Sequence, residues 1–191
     1  MSVDLIKTLA QKEGISALPI IDPNTQDVSA AADAYTDKLA QAAIPSVLTG
    51  IYNYSRDVHQ ADNILEQDFV NDWEQKLFGD NLDSLKEEVA SYAGVSVEEA
   101  DVKLKDVFMQ SISVIKENVP GEDGTAIKKL FTDQRTNILS HLPAAIGLGK
   151  LLNDNSLDDR TNKMQGPVSN LMHSIEKAFS GSQNPEDLEG K

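Results

Sequence analysis

Few residues in this chain have both the type and the spacing to do chemistry, and its three histidines come first. In Asp57-Val58-His59-Gln60-Ala61-Asp62, His59 and Asp62 fall three apart on one face of a helix, while Asp57 points elsewhere. An imidazole and a carboxylate make two metal ligands, whereas a closed structural site takes four and a catalytic one three plus water. The expectation is a solvated polar face, with no metal and no cofactor. His141 stands just before Leu142-Pro143 in an apolar run and reads as a partly buried imidazole whose hydrogen bonds are satisfied. His173 and Glu176 make a surface pair at helical spacing, worth little energetically. None of the three accompanies a serine in a nucleophile-elbow context, so the sequence presents no Ser-His-acid triad.

Other constellations fail for equally specific reasons. Asp22-Pro23-Asn24-Thr25-Gln26-Asp27 and Asn153-Asp154-Asn155-Ser156-Leu157-Asp158-Asp159 resemble calcium loops only in their acids. Both lack the turn glycine at the sixth position and the closing bidentate glutamate, and the first has Asp33 at that last place. They read as turns and caps, where Asp and Asn bond their own backbone. Neither GxGxxG nor GxxxxGK[ST] occurs, which removes the common nucleotide loops. There is no cysteine, hence no thiol nucleophile, thiolate zinc site, iron–sulfur cluster or redox switch. Phe69, Trp73, Phe78, Tyr52 and Tyr54 are the one aromatic group that a ligand pocket could use. Aromatics are only 5% of the chain, so each is expected to anchor core instead. No catalytic, cofactor-binding or metal residue is assigned.

The elements that must position these residues are helical. Apolar spacing follows the helical period nearly everywhere, and no run alternates as a half-buried strand does. Leu5, Ile6 and Leu9 form a short face ending at Lys12 and Gly14, and residues 15–26, with Pro19 and Pro23, form a connection that packs Ile15, Leu18, Ile20 and Ile21 inward. A helix is predicted from near Asp27 or Ser29 with Ala31, Ala34, Tyr35, Leu39 and Ala42 inward, kinked or restarted at Pro45. Phe69, Trp73 and Leu77 mark the next, closed by Gly79, and Leu82, Leu85, Val89 and Tyr92 another, closed by Gly94. Ser96-Val97-Glu98-Glu99 is a capping box opening a long helix with Ala100, Leu104, Val107, Phe108, Ile112 and Ile115 on one face. Asp123 or Thr125 caps a further helix through Leu139. Leu142 to Leu152, apolar and glycine-containing, is expected to be a buried central helix, the other reading being a sticky patch. Pro167 opens a last helix, and residues 181–191 read as a disordered acidic tail behind a single helical domain over 1–180. The fold class is an all-α multi-helix bundle containing a helix-turn-helix or homeodomain-like pair.

That pair lies around Gly94. Leu85 to Ala100, with Gly94-Val95-Ser96-Val97-Glu98-Glu99-Ala100 at its centre, then Ile115 and Val119-Pro120-Gly121-Glu122-Asp123-Gly124, resembles the YidB-like family of bacterial domains of unknown function. That family has a "Gly-aliphatic-Ser-x-x-Glu-Ala" helix start and ends its long helix near a "Pro-x-x-Gly". The resemblance covers residues 82–124 and implies an all-helical, homeodomain-like arrangement, with no activity attached. The chain departs from the family in lacking a Gly-rich N-terminal stretch and in having Gln110 near a place where Pro is frequent.

Charge narrows the partners. In 191 residues, 17 Lys and Arg face 31 Asp and Glu, a formal net charge of −14. Affinity for nucleic acid comes largely from cations displacing counterions, and anionic membrane surfaces ask for the same. Between Asp80 and Gly124 eleven acids face four lysines, on the very element whose shape suggests a DNA reader. A reader would put the start of its second helix, here Glu98, Glu99 and Asp101, into the major groove. The expectation is therefore no nucleic acid and no membrane. No basic segment followed by an apolar core opens the chain, and the uncharged stretches 39–55 and 136–149 fall short of the ~20 apolar residues of a span. The function expected is a non-enzymatic cytoplasmic interaction or structural module, with a protein partner or self-association. A small-ligand or metal-binding protein or enzyme using His59, His141 or carboxylates is the alternative, and DNA binding the remote one.

Overall fold

Helices form where the sequence supplies a cap, an apolar stripe and a stop. The structure, a computed structural model, describes residues 3–22, 37–119, 121, 123–154 and 156–157. In α1 (Leu5–Lys12) the Asp4 carboxylate accepts the Lys7 amide at 3.0 Å, Leu5, Ile6, Leu9 and Ala10 are buried, and Gly14 follows at φ +75°. The connection behind it buries Leu18 and Ile21 as expected, but Ile20 turns outward and is 63% exposed. The predicted start near Asp27 lies outside the described residues. The next helix described is α2 (Lys38–Tyr54), whose Asp37 carboxylate accepts the Ala40 amide at 2.9 Å.

Every residue of α2 from Ala40 to Ile51 is buried. The reason is position: α1, α5 (Trp73–Phe78), α6 (Leu82–Ala93), α7 (Val97–Asn118) and α8 (Gly124–His141) all pack on it. Pro45 lies inside α2, where it can offer no amide to the Gln41 carbonyl, yet the helix continues through it. An interior proline costs ~3 kcal/mol. Burial of Ile44, Val47, Leu48 and Ile51, each fully inaccessible, contributes about 1.5–3 kcal/mol apiece and outweighs it.

Around this axis the caps fall where the sequence places them. Ser96 Oγ accepts the Glu99 amide at 3.2 Å and the Glu99 carboxylate accepts the Ser96 amide at 3.0 Å, so the capping box is complete. Gly94, at φ +72°, ends α6 in the left-handed region that glycine adopts without a Cβ penalty. Asp123 accepts the Thr125 amide at the start of α8. The helix predicted around Phe69, Trp73 and Leu77 is instead two, α4 (Gln67–Asn71) and α5, divided where Asp72 leaves helical geometry at φ −126°, ψ 24°. Among the described residues there is no strand. The chain is all-α, and Met1–Asp158 forms one compact unit.

Leu142–Leu152 is not the central helix. It is a 3-10 turn (Ala144–Ile146), then Gly147 at φ +56°, then a single helical turn α9 (Leu148–Leu151). Ile146, Leu148 and Leu151 are buried while Ala144, Ala145 and Lys150 are exposed, so the segment packs on the bundle from outside. Gly147 breaks it because a left-handed residue cannot propagate a right-handed helix.

The short α3 (Val58–Asn63) packs against α8 at Gly124, whose amide donates to Asp62 Oδ1 at 2.8 Å. A Cβ at position 124 would meet that oxygen and lie 2.6 Å from the Asp62 nitrogen and 2.7 Å from the Val58 carbonyl oxygen. Two of these are backbone atoms that cannot rotate away. Helix propensity alone favours alanine over glycine by about 1 kcal/mol. Gly124→Ala is nonetheless expected to lose roughly 1–3 kcal/mol in urea unfolding, because α3 or α8 must shift. A variant as stable as the parent would show that the two helices are not in backbone contact.

Candidate functional site

His59 is exposed on α3, and its amide, like that of Gln60, is held by the Asp57 carboxylate that caps the helix. Asp62, the other ligand on that face, is committed to the Gly124 amide. The spacing that suggested a metal pair therefore serves a cap and a helix junction. Among the described residues no group of three or more His, Asp or Glu could hold a metal ion. In the second calcium-like loop, Asp154 pairs with Arg56 and its other oxygen accepts the Ser156 amide at 2.9 Å. Burial works to raise the Asp154 pKa, but the Ser156 hydrogen bonds and the Arg56 charge prevail and hold it below the ordinary 3.8. His173, Glu176 and most of the first acidic loop lie outside the described residues.

His141 sits at the end of α8, only 7% exposed. Its Nδ1 is 2.8 Å from the Asn137 carbonyl oxygen, which only accepts, so the proton is on Nδ1. Ser140 Oγ lies 3.1 Å from the same nitrogen and donates to Asn137 O at 2.7 Å. A protonated Nδ1 has no lone pair with which to take the serine proton, so this adjacent Ser-His pair is not a nucleophile with its base. The backbone carbonyl of His141 does more: it accepts Gln41 Nε2 at 2.5 Å, and Pro19 O accepts the same amide at 3.2 Å. Ile21 N donates to Ser140 O at 2.9 Å. Gln41 thus ties α2, the end of α8 and the segment after α1 together from a fully buried position, with its Oε1 unpaired. Its spacing pointed to no site; the one signal for it in the sequence is a glutamine standing in an uncharged apolar run.

The aromatic group is core, not groove. Trp73 stacks on Phe108 with centroids 4.3 Å apart and planes at 7°, and meets Phe78 edge-on at 6.2 Å. Phe69 contacts Tyr54 at 4.9 Å and Phe108 at 6.2 Å. Phe69, Trp73 and Phe78 are buried, and Tyr52 and Tyr54 half-buried. Burial, with the nearby Glu66 charge, raises the Tyr54 pKa.

The surface of α7 is where unassigned chemistry remains. On its inner side Ala100, Leu104, Val107, Phe108, Ser111 and Ile115 are buried. One edge is locked by ions: Lys86 Nζ reaches Asp101 Oδ1 at 2.8 Å and Glu74 Oε1 at 3.4 Å, and Lys105 Nζ reaches Asp101 Oδ2 at 2.7 Å. Burial opposes the charge on Asp101, but hydrogen bonds from Lys105 and Lys86 outweigh it and lower its pKa. For Lys86 burial is likewise outweighed, by Asp101 and Glu74, and its pKa is raised. The other edge is tied to α1 through Glu13, which accepts Lys103 Nζ and Gln110 Nε2, both at 2.6 Å. Gln110 thus links α7 to the residue that ends α1. Between the two edges, on the side opposite Leu104 and Ile115, stand Val102 and Met109, 66% and 54% exposed. The chain matches no protein-family model, no characterised protein and no solved structure with which it was compared. Among the described residues no helix is long and apolar enough to cross a membrane.

Proposed function

We propose that the chain is a non-enzymatic, cytoplasmic helical interaction module that meets a protein partner through the outer face of α7. The observation supporting this is the Val102 and Met109 pair, seven residues apart and exposed. Scattered apolar residues on a surface are ordinary. Two seven residues apart on the back of a long amphipathic helix share one stripe, on the side from which a partner can approach an exposed helix face. We also propose membership of the YidB-like family on the residues of α6 and α7, a placement that supplies no activity. Nucleic acid is a poor partner for this helix because Glu98, Glu99 and Asp101 all lie near its start.

The test uses the double variant Val102→Ser, Met109→Ser. Its unfolding free energy is expected to stay within ~0.5 kcal/mol of the parent, as for surface positions that serve no fold role. Immobilised away from α7, the parent retains a binding partner from native extract that the double variant does not. Equal retention by both, or a stability loss beyond ~1.5 kcal/mol, rules the face out as a contact surface.

A further inference from the structure

We infer that the occupant of this face is a second copy of the chain, its α7 packed antiparallel about a two-fold axis between Lys105 and Asp106; this rests on the reading of the face as a contact surface. The strip opposite the core runs Glu98, Val102, Lys105, Asp106, Met109, Ser113 and Lys116. Its two acids and two lysines cancel, on a chain whose formal charge is −14. Two copies meeting through an average part of such a surface bring acids against acids, whereas this strip, bordered by Glu99, Asp101 and Glu117, itself offers as many lysines as acids.

The order of the residues is also self-complementary. Antiparallel pairing about that axis sets Val102 on the partner's Met109 and Lys105 on the partner's Asp106, each contact occurring twice, as an isologous interface requires. Glu98 falls opposite the partner's Ser113, with the partner's Lys116 one turn further along. Parallel pairing instead stacks Lys105 on Lys105 and Asp106 on Asp106. Lys105 is already bonded to Asp101, but its side chain is 48% exposed and an ammonium has three protons to share. The strip is about 27 Å long at 1.5 Å per residue and about 10 Å wide. That is well below the ~800 Å² per partner of a standard stable interface, so the pair forms only weakly and reversibly.

The absence of cysteine gives a clean test. Val102→Cys and Met109→Cys single variants are mixed in equal amounts at high micromolar concentration and mildly oxidised. The expected product is the mixed 102–109 disulfide, in more than twofold excess over either symmetric dimer. Light scattering behind gel filtration should show the mass of the unmodified parent rising toward double with concentration, and Lys105→Glu should abolish the rise. Predominance of the symmetric 102–102 and 109–109 disulfides overturns the antiparallel register. A parent mass that stays monomeric at every concentration, with no disulfide formed, overturns self-pairing itself. That outcome is distinct from failure of the contact surface, which the extract experiment reads.

Discussion

Gln41→Glu is expected to destabilise the protein by about 3–5 kcal/mol at neutral pH, the cost of a buried charge without a partner. Gln41 is fully buried, and its Nε2 donates to His141 O at 2.5 Å and Pro19 O at 3.2 Å. Glutamate has the same shape but replaces that donor with an oxygen, so a carboxylate would face two carbonyl oxygens. The sign with pH follows from burial. The folded state favours the protonated acid and raises its pKa above the ~4.3 of an exposed glutamate. A group with a raised folded-state pKa has its stability present below the unfolded pKa and loses it as pH rises through the folded one. The deficit against the parent should therefore shrink as pH falls toward 4, where the protonated acid can again donate to one carbonyl. Gln41→Leu has no charge but leaves both carbonyls bare, and about 1–3 kcal/mol is expected at every pH. Urea unfolding at pH 7 and pH 4 measures all three proteins. A glutamate variant whose deficit is the same at both values would show that Gln41 reaches solvent.

Phe108→Ala is the second large effect, about 3–5 kcal/mol, the range for emptying an aromatic site in a core. Phe108 is fully buried on α7 and stacks on Trp73 of α5 at 4.3 Å while touching Phe69 of α4 at 6.2 Å. Removing the ring takes away the surface on which two short helices rest. Helices of five and six residues are not stable alone, so their order depends on this packing. The chain has one tryptophan, which makes its emission a report on this place alone. In Phe108→Ala the Trp73 emission should shift to the red as water reaches an indole that is now only 6% exposed. Phe108→Leu, closer in volume, should lose less than half as much and keep a buried emission. Full stability in the alanine variant would mean that α4 and α5 are anchored elsewhere.

Local information in the sequence carried the local parts of this fold. The Ser96 and Glu99 capping box, the glycines at 14, 79 and 94, and the stripe from Ala100 to Ile115 all stand where spacing put them, because caps and turns are settled among residues three or four apart. The helix period also implies that Val102 and Met109 lie opposite Leu104 and Ile115. It cannot say whether another helix covers them. Asp62 shows the converse: three residues from His59 it resembles a ligand, yet its partner is the amide of Gly124, sixty-two positions away.

What the sequence determined by itself was the all-α class, the bounds of α1, α6, α7 and α8 and the acidic character of the α6 and α7 pair, since each depends on period, caps and composition. The tertiary structure decided which uncharged stretch became the axis of the bundle. Both 39–55 and 136–149 are free of Lys, Arg, Asp and Glu. Five helices surround Lys38–Tyr54, while Leu142–Leu152 is broken at Gly147 and packs from outside. Burial on every side is a property of neighbours distant in sequence. The same holds for Gln41, an ordinary polar residue along the chain that becomes a cross-link only when α2, α8 and the connection after α1 converge on it.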